Sequence, residues 1–181
     1  MTMNLKDLTW ENHKKAERKE FASILMSGKI SPSLYYRYLT NQYYSYVILE
    51  ARLRDEGFPP VLYPVFRAAA IREDLQELEN EYEFIFNPAN LTPSQVMYSS
   101  YIEGLDYNGL VAHMYVRHFG DMYGGAMIQK RVPGSGRMYD FEDKETLKAR
   151  LREMLTDDMA DEANRCFEFA IKLFEELTDG E

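Results

Sequence analysis

Residues 110–127 read LVAHMYVRHFGDMYGGAM, an apolar stretch with helical spacing that three glycines interrupt. Each glycine inside a helix costs about 1 kcal/mol relative to alanine, so the interruptions need a structural reason. Gly120 and Gly124 are four residues apart and share one helical face, where the bare backbone could contact a flat ligand. The Gly124-Gly125 pair would also permit a kink. Close packing against another helix through small residues is the alternative explanation.

A pair of opposite charges accompanies the glycines. Arg117 and Asp121 are four residues apart, a spacing that permits an ion pair on one helix face. Asp121 directly follows Gly120, so its carboxylate would lie near the surface where the ligand rests. Taken alone, such a pair is commonly surface electrostatics with little effect on stability.

Outward from this stretch, the chain predicts an all-α fold, because turn signals are far apart and no fixed-period repeat is visible. Ser31-Pro32 is typical of a helix start, and Asn108 is the predicted N-cap of the glycine-containing helix. About seven helices are expected: residues 5–25, 34–54, one or two within 64–86, 92–104, 109–130, 143–155 and 157–177.

Composition limits the function classes. A chain of 181 residues with 45% hydrophobic content predicts one domain over residues 1–181. The formal net charge of -9 argues against broad binding to nucleic acid or to an anionic membrane. The single cysteine, Cys166, lacks a disulfide partner, so we expect a reducing compartment, the cytoplasm. Neither a signal peptide nor a membrane anchor is expected.

The stretch LVAHMYVRHFGDMYGG resembles the distal-helix signature of haem oxygenases of the soluble bacterial, cyanobacterial or viral type. In that family this helix crosses the distal face of the haem, and its aspartate organises the water network that delivers protons. The resemblance implies this role for Asp121, with Arg117 in its network and Tyr115 hydrogen-bonded to a haem propionate. Gly120 and Gly124 would be the backbone contacts over the ring.

The N-terminal segment LKDLTWENHKKAERKEF resembles the family's proximal helix, which makes His13 the candidate iron ligand. By spacing alone, one helix face would carry Lys6, Thr9, His13 and Glu17. Glu17 could accept the ring N–H that does not face iron and so fix the tautomer. Without the resemblance, a histidine among charged neighbours is typical of a solvated surface. His113 matches a family position that is not the iron ligand.

Cations for the haem propionates are expected at both ends of the pocket. Lys6 matches a family position at one end, and Lys148 and Arg152 in the run LKARLREML match positions at the other. The family has a further basic residue where this chain has Trp10, which could stack on or shield the haem edge instead.

Aromatic residues complete the expected pocket. Tyr46, in NQYYSYVILEA, matches a tyrosine that joins the distal network, and Phe167 and Phe174 match positions that line the pocket wall. Ala170 departs from a common polar residue. Ordinary core packing is the alternative for each aromatic.

The resemblance implies oxidative cleavage of haem by dioxygen and external electrons to biliverdin, carbon monoxide and ferrous iron. Haem b would be cofactor and substrate, with its iron on His13. No flavin, nicotinamide or iron–sulfur motif is visible, so a separate donor such as a ferredoxin is expected. A haem carrier or sensor that does not degrade its ligand is the alternative. A di-iron relative is disfavoured, because the chain has three histidines and no paired Glu-x-x-His motif.

Overall fold

A computed structural model describes residues 4–179, and that part of the chain forms nine α-helices joined by short 3-10 turns and loops. The expected all-α class is confirmed. The helices are α1 (Leu5–Leu8), α2 (Trp10–Glu17), α3 (Glu20–Met26), α4 (Pro32–Asp55), α5 (Ala68–Tyr82), α6 (Pro93–Glu103), α7 (Tyr107–Gln129), α8 (Lys144–Arg152) and α9 (Ala160–Asp179).

The single N-terminal helix expected over residues 5–25 is wrong, since three helices replace it. The first break is at Thr9, whose hydroxyl donates to the carbonyl of Leu5 at 2.9 Å and competes with the regular helical pattern. The second break is at Lys19, which is extended (φ -69°, ψ 148°). The apolar spacing already weakens here, because Ala16 and Phe21 are five residues apart rather than three or four.

Two of the predicted helix starts are capped as expected. The hydroxyl of Ser31 accepts from the backbone N–H of Leu34 at 3.1 Å, and Thr92 accepts from Gln95 at 3.2 Å. The predicted cap of α7 is wrong, because Asp106 rather than Asn108 accepts from the N–H of Gly109, at 2.8 Å. The helix therefore begins one residue after Asp106, and Asn108 lies in its first turn.

The middle of the chain is more broken than the sequence suggests. A 3-10 turn covers Pro60–Val65, and α5 then runs from Ala68 to Tyr82 and ends at Glu83, which is left-handed (φ 59°). Later in the chain, a 3-10 turn at Asp157–Met159 precedes α9.

Helix α9 is the scaffold that relates the first and second halves of the chain. It packs against α2, α3, α6 and α7, while α4 packs against α5, α6 and α7. The proximal segment α2 and the glycine-containing helix α7 are thus both fixed to α9. Among residues 4–179, none of the helices has the length and apolarity that a lipid bilayer crossing requires.

Candidate functional site

Helix α7 remains helical through Gly120, Gly124 and Gly125, and these three glycines serve two different purposes. A Cβ built on Gly120 or Gly124 would meet nothing within 4 Å, so both face open space. A Cβ on Gly125 would lie 2.8 Å from Cδ1 of Tyr139, so this glycine permits close packing. Both explanations raised by the sequence therefore apply, at different positions. The side of α7 with Gly120 and Gly124 is a bare strip of backbone.

Asp121 lies beside this strip and is hydrogen-bonded from α4. Tyr46, which is almost fully buried, donates its phenolic O–H to Oδ2 of Asp121. Burial raises the pKa of Asp121 to about 6, against the opposing effects of the Tyr46 hydrogen bond and of the charges on His118, Arg67 and Arg117. The carboxyl group can therefore take up and release a proton near neutral pH.

The spacing of Arg117 and Asp121 permits an ion pair, but the structure of residues 4–179 contains no such pair within 4.0 Å. Arg117 is buried and turns instead toward α6 and α4. It donates through Nε to the hydroxyl of Tyr98 at 3.0 Å and through Nη1 to Oε1 of Gln42 at 3.2 Å. These two hydrogen bonds direct the guanidinium away from Asp121, on which it acts as a nearby positive charge.

His113 is buried one turn before Arg117, and both its ring nitrogens are occupied. Nδ1 is 2.7 Å from the hydroxyl of Tyr98, and Nε2 is 3.0 Å from Oε2 of Glu162. An imidazole bonded on both sides has no lone pair free for a metal. This geometry agrees with the expectation that His113 is not an iron ligand.

His13 on α2 is held by three neighbours. Its Nε2 is 2.8 Å from Oε1 of Glu17, the predicted contact. Trp10 stacks on the ring with centroids 5.3 Å apart and planes at 11°, and Phe167 from α9 meets it edge-on at 5.8 Å. The His13 side chain is 41% exposed, so the imidazole is orientated yet accessible. Since Nε2 is paired with Glu17, Nδ1 is the remaining ring nitrogen.

The proposed stripe of four residues on one helix face is wrong in part. Thr9 is buried and forms the break between α1 and α2, whereas Lys6 on α1 is exposed. Thr9 faces α7 instead, where it contacts Tyr115. Burial raises the pKa of the Tyr115 hydroxyl, and the hydrogen bond with Thr9 lowers it. The start of α2 and the first half of α7 therefore approach each other at this contact.

Two of the predicted cations meet on one aromatic ring. Nζ of Lys148 lies 4.2 Å from the ring centre of Tyr123, and Cζ of Arg152 lies 5.5 Å from it. Tyr123 is 55% exposed and immediately precedes Gly124. Helix α8 thus brings two positive charges to the end of the bare strip on α7. Nζ of Lys148 is also 3.3 Å from Oε1 of Glu145.

The two predicted wall residues on α9 lie in different surroundings. Phe167 contacts His13, as described above, whereas Phe174 packs on Phe21 of α3 with ring centroids 5.2 Å apart. Ala170 lies between them in sequence and is half-buried. Phe167 therefore borders the candidate ligand directly, and Phe174 belongs to the aromatic core beneath α3.

Several residues of the polar cluster around Asp121 were not predicted. They share nearly complete burial and positions far apart in sequence, and they are Tyr38, Gln42, Glu50, Tyr98 and His118. Gln42 donates to the hydroxyl of Tyr38 at 3.0 Å, which extends the Arg117 contacts into α4. The only sequence signal was the density of tyrosines, which suits a core equally well.

Comparisons with known proteins agree with this architecture. The family model described as Heme oxygenase matches residues 1–176. "Heme oxygenase 2" of Macaca fascicularis is 27% identical over 96% of this chain, and this chain spans 64% of its length. "Heme oxygenase 1" of a Nostoc species is 25% identical over 93% of this chain and 82% of its own.

Solved structures have the same fold. The heme oxygenase of Leptospira interrogans superposes with a TM-score of 0.80 and 26% identity, covering 96% of this chain and all of that one (100%). Heme oxygenase-1 of Synechocystis sp. PCC6803, solved in complex with heme, superposes with a TM-score of 0.82 and 22% identity, covering 97% and 91%. Because the family model spans nearly the whole sequence, the chain belongs to the haem oxygenase family.

Proposed function

We propose that this protein is a haem oxygenase, which binds haem between α2 and α7 and cleaves it to biliverdin, carbon monoxide and ferrous iron. The observation that carries the proposal is Asp121, a carboxyl group with a pKa of about 6 that Tyr46 orientates beside Gly120. Cleavage of haem by dioxygen consumes protons as well as electrons, and a proton-exchanging group beside a bare strip of backbone could supply protons to a flat ligand there.

The residues present fit a haem group. Gly120 and Gly124 leave open the space that side chains would fill, so a planar ring can approach the α7 backbone. His13 offers an accessible imidazole on the opposite helix. Lys148 and Arg152 supply positive charge near Tyr123, which suits the carboxylates of a haem edge.

Most of the predicted site residues then have a task that their surroundings support, whereas Phe174, which packs on Phe21, remains a prediction from the sequence. His13 would ligate the iron, and Glu17 and Trp10 would hold its ring in orientation. When bound, haem supplies both the iron that activates dioxygen and the ring that is oxidised. Asp121 would hold and release protons at its carboxyl group, with Tyr46 fixing its direction.

The remaining contacts would position the ring rather than transfer protons. We assign Arg117 to the Asp121 network through its charge and its bonds to Tyr98 and Gln42. The predicted haem contacts at the pocket edges and wall are Lys6, Tyr115, Lys148, Arg152, Phe167 and Phe174.

Electrons would come from a separate protein, and a small ferredoxin is the proposed donor. Cys166 is a free, buried thiol, which suits a reducing compartment, so we place the protein in the cytoplasm. We treat residues 1–181 as one domain, supported by the packing of α9 on both halves of the chain. Residues 1–3 and 180–181 of that range lie outside the described part.

Addition of haemin to the purified protein, followed by a reductant under air, tests the function. We expect a haem–protein absorption band that disappears as a bilin band forms. A stable haem band without bilin would favour the carrier or sensor. Absence of any haem complex would contradict both.

A further inference from the structure

A second buried histidine lies beside the Tyr46–Asp121 pair. His118 and Glu50 are both almost inaccessible to solvent, and Nε2 of His118 is 2.9 Å from Oε2 of Glu50. The Glu50 carboxylate also accepts the backbone N–H groups of Arg67 at 2.5 Å and Ala68 at 3.1 Å, at the start of α5. Three donors thus converge on Glu50, which fixes Nε2 of His118 as the protonated ring nitrogen.

The other nitrogen of His118 has no such partner. Nδ1 is fully buried and makes no hydrogen bond to any residue between positions 4 and 179. Buried polar atoms are nearly always satisfied, so a single unpaired ring nitrogen in a core calls for an explanation.

The ring of His118 contacts one member of the pair and neighbours the other. Its centroid is 4.8 Å from that of Tyr46, with the planes at 71°, so the imidazole supports the phenol ring edge-on. Asp121 is three residues further along α7, on the adjacent turn. His118 therefore borders both the donor and the acceptor of the hydrogen bond.

We propose that His118, anchored by Glu50, is a positioning residue that holds Tyr46 against Asp121 and sets how readily the Asp121 carboxyl group is protonated. The edge-on imidazole keeps the Tyr46 hydroxyl directed at Asp121, and that hydrogen bond lowers the pKa of Asp121 against the effect of burial. The consequence for ring opening rests on the proposed function, whereas the positioning itself does not.

Other charged or titratable groups also face Asp121, and the test must separate them from His118. They come from every element packed around the carboxylate: Tyr35, Tyr38 and Tyr46 of α4, Arg67 before α5, Arg117 of α7, and Tyr139 of the turn that follows α7. A change at His118 leaves these groups in place but removes a donor from Glu50, so the assignment to His118 also needs His118→Gln, whose amide keeps a donor for Glu50.

Carbon-13 NMR of the Asp121 carboxyl group in the haem-free protein, followed against pH, tests the proposal. In His118→Phe, which keeps a ring but loses both nitrogens, we expect the Asp121 pKa to rise by about half a unit or more. The Tyr46 hydroxyl proton should also exchange faster with water. Met114→Ala is the matched control, because Met114 is equally buried on α7 but apolar. It should lower stability without moving the Asp121 titration.

His118→Gln provides a second variant if the phenylalanine does not fold, because the amide can still donate to Glu50. His118→Gln should also raise the pKa of Asp121. Superimposable Asp121 titrations in wild type and in either folded variant would overturn the proposal. Because no haem is present, this outcome is independent of whether the protein degrades haem. If the protein degrades haem, the pH at which ring opening is half-maximal should shift in each variant by the same amount as the pKa of Asp121.

Discussion

Tyr46 of α4 donates its hydroxyl proton to Asp121 of α7, and this contact joins two residues that are 75 positions apart in the sequence. Tyr46 is 1% exposed, so the bond is shielded from bulk water. A buried hydrogen bond to a carboxylate orientates it strongly. Tyr46 therefore fixes the orientation of the Asp121 carboxylate, which belongs to the residue directly after Gly120.

Replacement of Asp121 by asparagine should separate haem binding from haem cleavage. The amide can still accept from Tyr46, so the pocket should keep its shape and its haem affinity. It cannot exchange a proton, and we expect bilin formation to slow by about 100-fold or more. Absorption spectroscopy of the haem complex under reductant and air measures both properties. Wild-type rates in this variant would contradict the role of Asp121.

The same variant should change the pH dependence of stability. Burial raises the pKa of Asp121 to about 6, so between pH 4 and 6 the folded protein holds this proton more tightly than the unfolded chain does. The contribution of Asp121 to stability is therefore present at acidic pH and is lost as the pH rises through 6. The free energy of unfolding of Asp121→Asn should therefore exceed that of wild type by roughly 3 kcal/mol at pH 8.

Urea denaturation at several pH values checks this stability difference. The advantage of the asparagine variant should shrink toward zero near pH 4, where wild-type Asp121 is protonated. Glu175→Gln on α9 is a suitable control, because its carboxylate forms an ion pair with Lys19 at a half-buried site near the surface. A constant difference between Asp121→Asn and wild type across the whole pH range would contradict the linkage.

Substitution of His13 on α2 and of His113 on α7 should affect haem binding in opposite ways. His13→Ala removes the accessible imidazole and should weaken haem binding and change the haem spectrum, and added imidazole should restore part of that spectrum. His113→Ala should leave the axial ligand intact, because both nitrogens of His113 are engaged by Tyr98 and Glu162. Trp10 is the single tryptophan, so quenching of its fluorescence by added haem gives the haem affinity. The reverse pattern would place the iron ligand on α7.

Some of this arrangement could be predicted from sequence and some could not. Helical spacing was enough to predict α4 and α7, and the resemblance correctly linked Tyr46 with the Asp121 network. The direction of Arg117 was not predictable, because its partners Tyr98 and Gln42 are 19 and 75 residues away and only the fold brings them close. The break at Thr9 was missed for a local reason, since its hydroxyl bonds to the backbone and disrupts an otherwise regular pattern.

Substitutions at Gly120, Gly124 and Gly125 of α7 should separate effects on stability from effects on haem binding. Gly120→Ala and Gly124→Ala should each stabilise the haem-free protein by up to about 1 kcal/mol, because alanine favours the helix and its Cβ meets open space. Both should weaken haem binding, because the added methyl group projects into the space where the ring would lie. Gly125→Ala should instead destabilise the protein, because its Cβ would lie 2.8 Å from Tyr139. Thermal unfolding measures the change in stability, and quenching of Trp10 fluorescence by haem measures the change in haem affinity. Unchanged haem affinity in both Gly120→Ala and Gly124→Ala would mean that haem does not contact this strip of α7.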